Sequence, residues 1–181
     1  MTAELATRVS LGVLALAAAA AAWTFFRKPD AAKGALARFP RSRRWGLVLA
    51  AIAYAGAAAA IWACDLGKFD AWKPALVPLA GLSYGATAAY LDELLAPRAL
   101  GGILLLGAAP WLAAIRWADV WGRNALAATI YAGILAGCFL VAAPWTFRKT
   151  AEAATATPAR LRATALVLSL LAALFALLAL V

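Results

Sequence analysis

The sequence predicts an all-α fold, a polytopic transmembrane helical bundle of about six spanning helices with short loops, on three observations. Of 181 residues, 66% are hydrophobic and only 14% charged, against roughly half and a quarter in soluble domains. The apolar residues gather into six runs near the length of about 20 residues that a hydrocarbon core demands. The basic residues sit in short blocks between those runs, and 12 of the 17 fall on one side of the implied membrane, as the positive-inside pattern requires. The formal charge of +9 therefore reads as a topological signal directed at anionic lipid headgroups on the cytoplasmic face. Nucleic acid is a poor partner for such a chain, because no stretch is both basic and aromatic over the width of a folded groove.

The first span, 9–26, lies between Arg8 and the pair Arg27-Lys28. An arginine ahead of an alanine-rich run is also how a secretory signal begins; this run is read as a retained helix. The later spans cover 45–63, 74–91, 99–115, 125–147 and 163–181. At 1.5 Å per residue they reach roughly 26–35 Å, which fits a bilayer core with modest tilt or thinning. Residues 1–181 thus read as a single integral membrane domain. Pro78, Pro110 and Pro144 fall inside three of the spans and are expected to kink them.

Orientation follows from the basic blocks. Seven Lys and Arg side chains lie between Arg27 and Arg44, Arg98 follows the third span, and Arg148, Lys149, Arg160 and Arg162 separate the last two. This assigns those connections to the cytoplasm and both termini to the outside of a cell (inner) membrane. All tryptophans except Trp111 lie at or just beyond an expected helix end, where amphipathic rings anchor at the interface. Trp23-Thr24-Phe25-Phe26-Arg27-Lys28 and Trp145-Thr146-Phe147-Arg148-Lys149 resemble each other; aromatic-then-basic anchoring at a helix end explains this without a duplicated repeat.

Four groups of residues are candidates for function. Asp92, Glu93 and Arg98, with Pro97 between them, place two carboxylates in a connection where simple basic residues are expected. Pro97 cannot continue a helix ladder, so the chain should turn near Ala96 and re-enter with Pro97 in a first helical turn. Arg98 can then reach back to the carboxylates, either as a capped turn or as a group that binds a lipid headgroup, relays a proton or touches a partner. Arg38, Arg41, Arg43 and Arg44 form a basic block suited to lipid phosphates, each worth about 1 kcal/mol near an anionic leaflet, or to an acidic partner. Gly81 and Gly85 in the third span, with Gly133 and Gly137 in the fifth, are GxxxG pairs that let helix backbones approach within or between subunits. Tyr84, Thr87 and Tyr90 recur at intervals of three along the third helix, as a polar stripe leading to Asp92-Glu93. The stripe either lines a solute path or bonds a neighbouring helix.

The exclusions are as informative. There is no histidine, a single methionine at position 1, and two cysteines, Cys64 and Cys138, far apart. Imidazole-held haem or chlorophyll, the common metal sites and histidine acid–base chemistry lose their usual groups, so neither a cofactor nor a metal is expected. No span contains a lysine for a Schiff base, and no helix centre holds an ionisable chain for pumping or voltage sensing. Hydrolase, Walker and dinucleotide motifs are absent from the sequence, and no catalytic residue is assigned. The sequence therefore points first to a non-catalytic subunit or scaffold, partnered by other membrane subunits or a second copy. Two alternatives stand beside it: a transporter or channel for a neutral or lipid-like solute using Tyr84 to Glu93, and a lipid-headgroup enzyme with Asp92 or Glu93 as base and Arg98 on phosphate.

Overall fold

A computed structural model describes residues 3–90 and 94–180. Among the described residues the chain is helical with no strand: α1 (Ala3–Arg27), α2 (Pro29–Arg38), α3 (Arg43–Ala63), α4 (Lys73–Tyr90), α5 (Leu95–Ile115), α6 (Gly122–Ala142), α7 (Trp145–Thr155) and α8 (Pro158–Leu180). The all-α fold is as expected. Five helices, α1, α3, α5, α6 and α8, are long and apolar enough to cross a membrane. No more than 22% of the apolar window of any of them is buried inside the protein, so most of their apolar surface needs a non-aqueous solvent. Leu16 and Leu170 are 73% and 71% exposed.

α4 occupies almost the stretch expected for the third span but is not among those five, because Lys73, two prolines and several hydroxyls dilute its 18 residues. It nevertheless packs along α3, and the Arg43 Nη2 at the start of α3 donates to the Ala88 carbonyl near the end of α4, at 3.4 Å. α4 therefore returns the chain to the level at which α3 began.

The fifth expected span is shorter than its apolar run. α6 stops at Ala142, and Pro144 separates it from α7. Proline has no N–H to give the preceding turn and its ring clashes there, so what was expected as a kink is a helix end. Pro78 and Pro110, by contrast, are carried inside α4 and α5. Both basic connections contain helix where loops were expected. In α2, Pro29 begins the helix, Asp30 lies in its first turn and Arg38 in its last, the arrangement that best complements the helix dipole. Caps fix the starts of two spans: Ser42 Oγ accepts from the Trp45 amide at 3.4 Å for α3, and Thr157 Oγ1 from the Arg160 amide at 3.2 Å for α8.

The chain divides into two compact units. The first comprises residues 1–37, 108–133 and 148–181. Here α1 and α8 run antiparallel, since Arg8 Nη1 donates to the Leu180 carbonyl at 3.3 Å while Phe26 and Leu161 line a common recess at the opposite ends. α1 buries Thr7, Leu11, Ala15 and Ala22 along one stripe, and α8 buries Ala165, Ala172 and Phe175. The small side chains allow the close backbone approach on which helix association in lipid depends. Thr7 is fully buried and donates to its own helix at the Ala3 carbonyl, 2.8 Å. A Cβ at Gly122 would collide with Leu11 and lie 3.1 Å from the Leu178 carbonyl.

The second unit comprises residues 38–107 and 134–147. Phe39 and Phe147 pack with their rings tilted, 5.2 Å between centroids. Between α3 and α4 the chain turns through Gly67 at φ +56, a left-handed conformation that glycine adopts at no steric cost. Asp65 Oδ1 accepts from the Gly67 amide at 2.9 Å and Asp70 Oδ1 from the Leu66 amide at 3.0 Å. The Lys73 ammonium lies 2.9 Å from the Asp70 carboxylate. First Lys73 and then the Leu66 amide hold the Asp70 carboxyl below its usual value. A carboxyl depressed in this way adds stability that is present above its unfolded pKa and is lost as the pH falls through its folded one. An NMR titration should give Asp70 a midpoint below the ordinary carboxylate range, and Lys73→Ala should raise it; an unmoved midpoint in that variant contradicts the pairing.

Candidate functional site

The second unit contains a cleft of about 320 Å³ between α3, α4 and α5. Ala50, Ala53 and Ala57 line it from α3, at spacings that put all three on one helix face. Opposite them stand Leu95, Ala99, Gly102 and Leu106 of α5, with Val141 closing one side. The cleft exists because these facing residues are small. Where α3 and α5 do touch, at Gly46, the added Cβ of an alanine would lie 3.0 Å from Leu95 Cβ and 3.2 Å from the Ala96 amide. Beyond that contact the facing aliphatic residues of α3 and α5 on the cleft wall are alanine, glycine and leucine.

Three polar side chains meet this apolar trough. Tyr54 Oη and Thr87 Oγ1 are 2.8 Å apart, one donating to the other. Tyr84 packs edge-on against Tyr54 at 6.0 Å between centroids. Hydrogen bonds of this kind between membrane helices contribute about 0.6 kcal/mol each, so the pair aligns α3 with α4 more than it glues them. The third polar group is Arg98, exposed at the wall of the cleft one turn into α5.

The expected polar stripe is thus divided. Tyr84 and Thr87 turn toward α3, whereas Tyr90 is 85% exposed at the end of α4. Residues spaced by three drift by roughly 60° per step around a helix of 3.6 residues per turn, so by Tyr90 the stripe has left the interface. Tyr54, which completes the site, is the one hydroxyl-bearing residue of the expected span 45–63; periodicity within one helix does not report its partner on another.

Asp92 and Glu93 lie outside the described residues. The turn around them is as expected where it is described: α5 opens at Leu95 with Pro97 in its first turn. It is preceded by Leu94 at φ +56, a conformation uncommon for a residue with a bulky side chain. Arg38 ends α2, Arg41 ends the short 3₁₀ turn before α3, Arg44 is exposed, and Arg43 caps the end of α4 as described. Of the four glycines singled out for packing, a Cβ on Gly81, Gly85 or Gly133 would meet nothing within 4 Å. At Gly137 it would lie 3.0 Å from the Gly101 carbonyl and from Leu105 Cγ. Gly101, whose partner is Gly137, lies inside the expected fourth span, and a Cβ there would lie 2.8 Å from the Gly137 carbonyl oxygen, so α5 and α6 approach closely at this point.

The fold and cleft together define an all-α, multi-pass membrane protein with a small apolar site. Comparison with protein-family models, with curated proteins and with solved structures gives no match.

Proposed function

We propose that this chain is a non-catalytic membrane protein that takes up an amphipathic, lipid-like solute in the cleft between α3, α4 and α5. The observation that carries this reading is the combination of an alanine trough with the Tyr54–Thr87 hydroxyl pair and Arg98 at its edge. Its volume of about 320 Å³ falls at the lower end of small-molecule sites, which run to about 1,000 Å³ and are mostly apolar with a few placed polar groups. In this proposal the chain lies in a cell inner membrane, α4 crosses beside α3, and the basic segments face the cytoplasm with both termini outside.

Native mass spectrometry of protein extracted in mild detergent tests it. The wild type should retain a lipid-sized adduct, and Ala57→Leu, which fills the trough from a half-buried position, should lose most of it. Equal adduct on both proteins sinks the reading.

One observation favours a second reading, a subunit of a larger assembly or a homo-oligomer. A Cβ on Gly81 or Gly85 of α4 would meet nothing within 4 Å among the described residues, and an unused close-packing face suits a helix from elsewhere. Stoichiometric co-purifying membrane proteins, or an oligomer broken by Gly81→Leu, would support it; a monodisperse monomer would remove it.

A further inference from the structure

We infer that the occupant of the cleft is a phospholipid of net negative charge, with its phosphate against Arg98 and an acyl chain along the alanine trough. The inference rests on the amphiphile reading above and names the headgroup. Arg98 is the sole charged side chain on the cleft wall among the described residues, and it makes no hydrogen bond or ion pair with any of them. The Gly46–Leu95 contact holds the beginning of α3 beside the beginning of α5, which puts Arg43 and Arg44 at the same end of the unit as Arg98. A guanidinium binds a phosphate through two parallel N–H donors, and the trough runs away from it into apolar surroundings.

The hydroxyl pair adds a second polar contact. Two O–H hydrogens are shared between Tyr54 and Thr87, and their mutual bond of 2.8 Å uses one. The other is left to donate to an ester carbonyl below the phosphate. A zwitterionic lipid would bring a quaternary ammonium to the same cationic rim, and that repulsion supplies the discrimination.

The test titrates the full chain in detergent with phosphatidylglycerol and phosphatidylcholine of equal chain length, followed by native mass spectrometry, with inorganic phosphate as competitor. Phosphatidylglycerol should bind about tenfold more tightly, the effect of sparing one ammonium its repulsion at the cationic rim. Arg98→Gln should abolish that preference, bringing the two lipids to equal affinity, Arg98→Lys should keep part of it, and millimolar phosphate should displace neither lipid. A preference that survives in Arg98→Gln, or displacement by free phosphate, overturns the inference. The comparison of the two lipids on the wild type decides the matter even if Arg98→Gln does not fold: equal affinities that both fall in Ala57→Leu overturn the headgroup and leave the cleft reading standing. If Ala57→Leu changes neither lipid, both fall together.

Discussion

Replacing Gly101 by leucine should be the most damaging single substitution in the second unit. A Cβ there would lie 2.8 Å from the Gly137 carbonyl oxygen, and 3.0 Å from both Leu140 Cβ and Val141 Cγ2. The nearest obstacle is backbone, so no rotamer change relieves it and α6 must move away from α5. Overpacking of this sort costs about 1–3 kcal/mol, occasionally more. The thermal midpoint in detergent should fall by roughly 5–10 °C, taking 2–4 °C per kcal/mol for a chain of this size. Gly133→Leu, which meets open space, is the control and should leave the monomer unchanged. Equal midpoints for the Gly101 variant and the wild type would mean that α5 and α6 do not approach at this point.

Leu11→Ala should have the next largest effect, in the first unit. Leu11 is fully buried and lies where a Cβ on Gly122 would stand. In a water-soluble core a Leu→Ala change costs about 2.7–5 kcal/mol, part of it transfer from water and part the cavity left behind. Lipid tails are as apolar as leucine, so the transfer part falls away and packing remains. About 2 kcal/mol is expected, read as an earlier midpoint in a denaturing-detergent titration. Leu16→Ala, on the same helix but 73% exposed, should leave the midpoint where it was. If both variants shift equally, burial against α8 is not what holds α1.

Apolar run length carried most of the fold, since a chain of this composition can satisfy its backbone in lipid only as helices. The ends were harder. Glu4 and Arg8 mark a polar border, yet α1 extends past both to Ala3, because helix formation continues through charged residues that reach the interface. Pro144 reads like Pro78 and Pro110, but only Pro144 ends a helix; tertiary packing decides between a kink and a stop. The helix in Pro29–Arg38 was legible in Asp30 and Arg38 at its two ends and hidden by the weight given to charge. At the site, Thr87 was visible from its spacing and Arg98 from its place beside Pro97 in the connection that carries Asp92 and Glu93. Tyr54 and Gly101 were not, because each acquires its role from a residue more than 30 positions away.

Every proposal for the cleft depends on α3 crossing a bilayer with its basic start at one face and Cys64 at the other. Impermeant maleimide labelling of sealed right-side-out vesicles measures this on one helix, in a Cys138→Ala background. Cys64 is exposed just beyond Ala63, and Ser42→Cys, with Cys64→Ala, places a thiol at the opposite end. Cys64 should label at once and the Ser42→Cys thiol only after detergent opens the vesicles. Labelling of both before detergent would contradict the crossing, and labelling of the Ser42→Cys thiol alone would reverse the orientation.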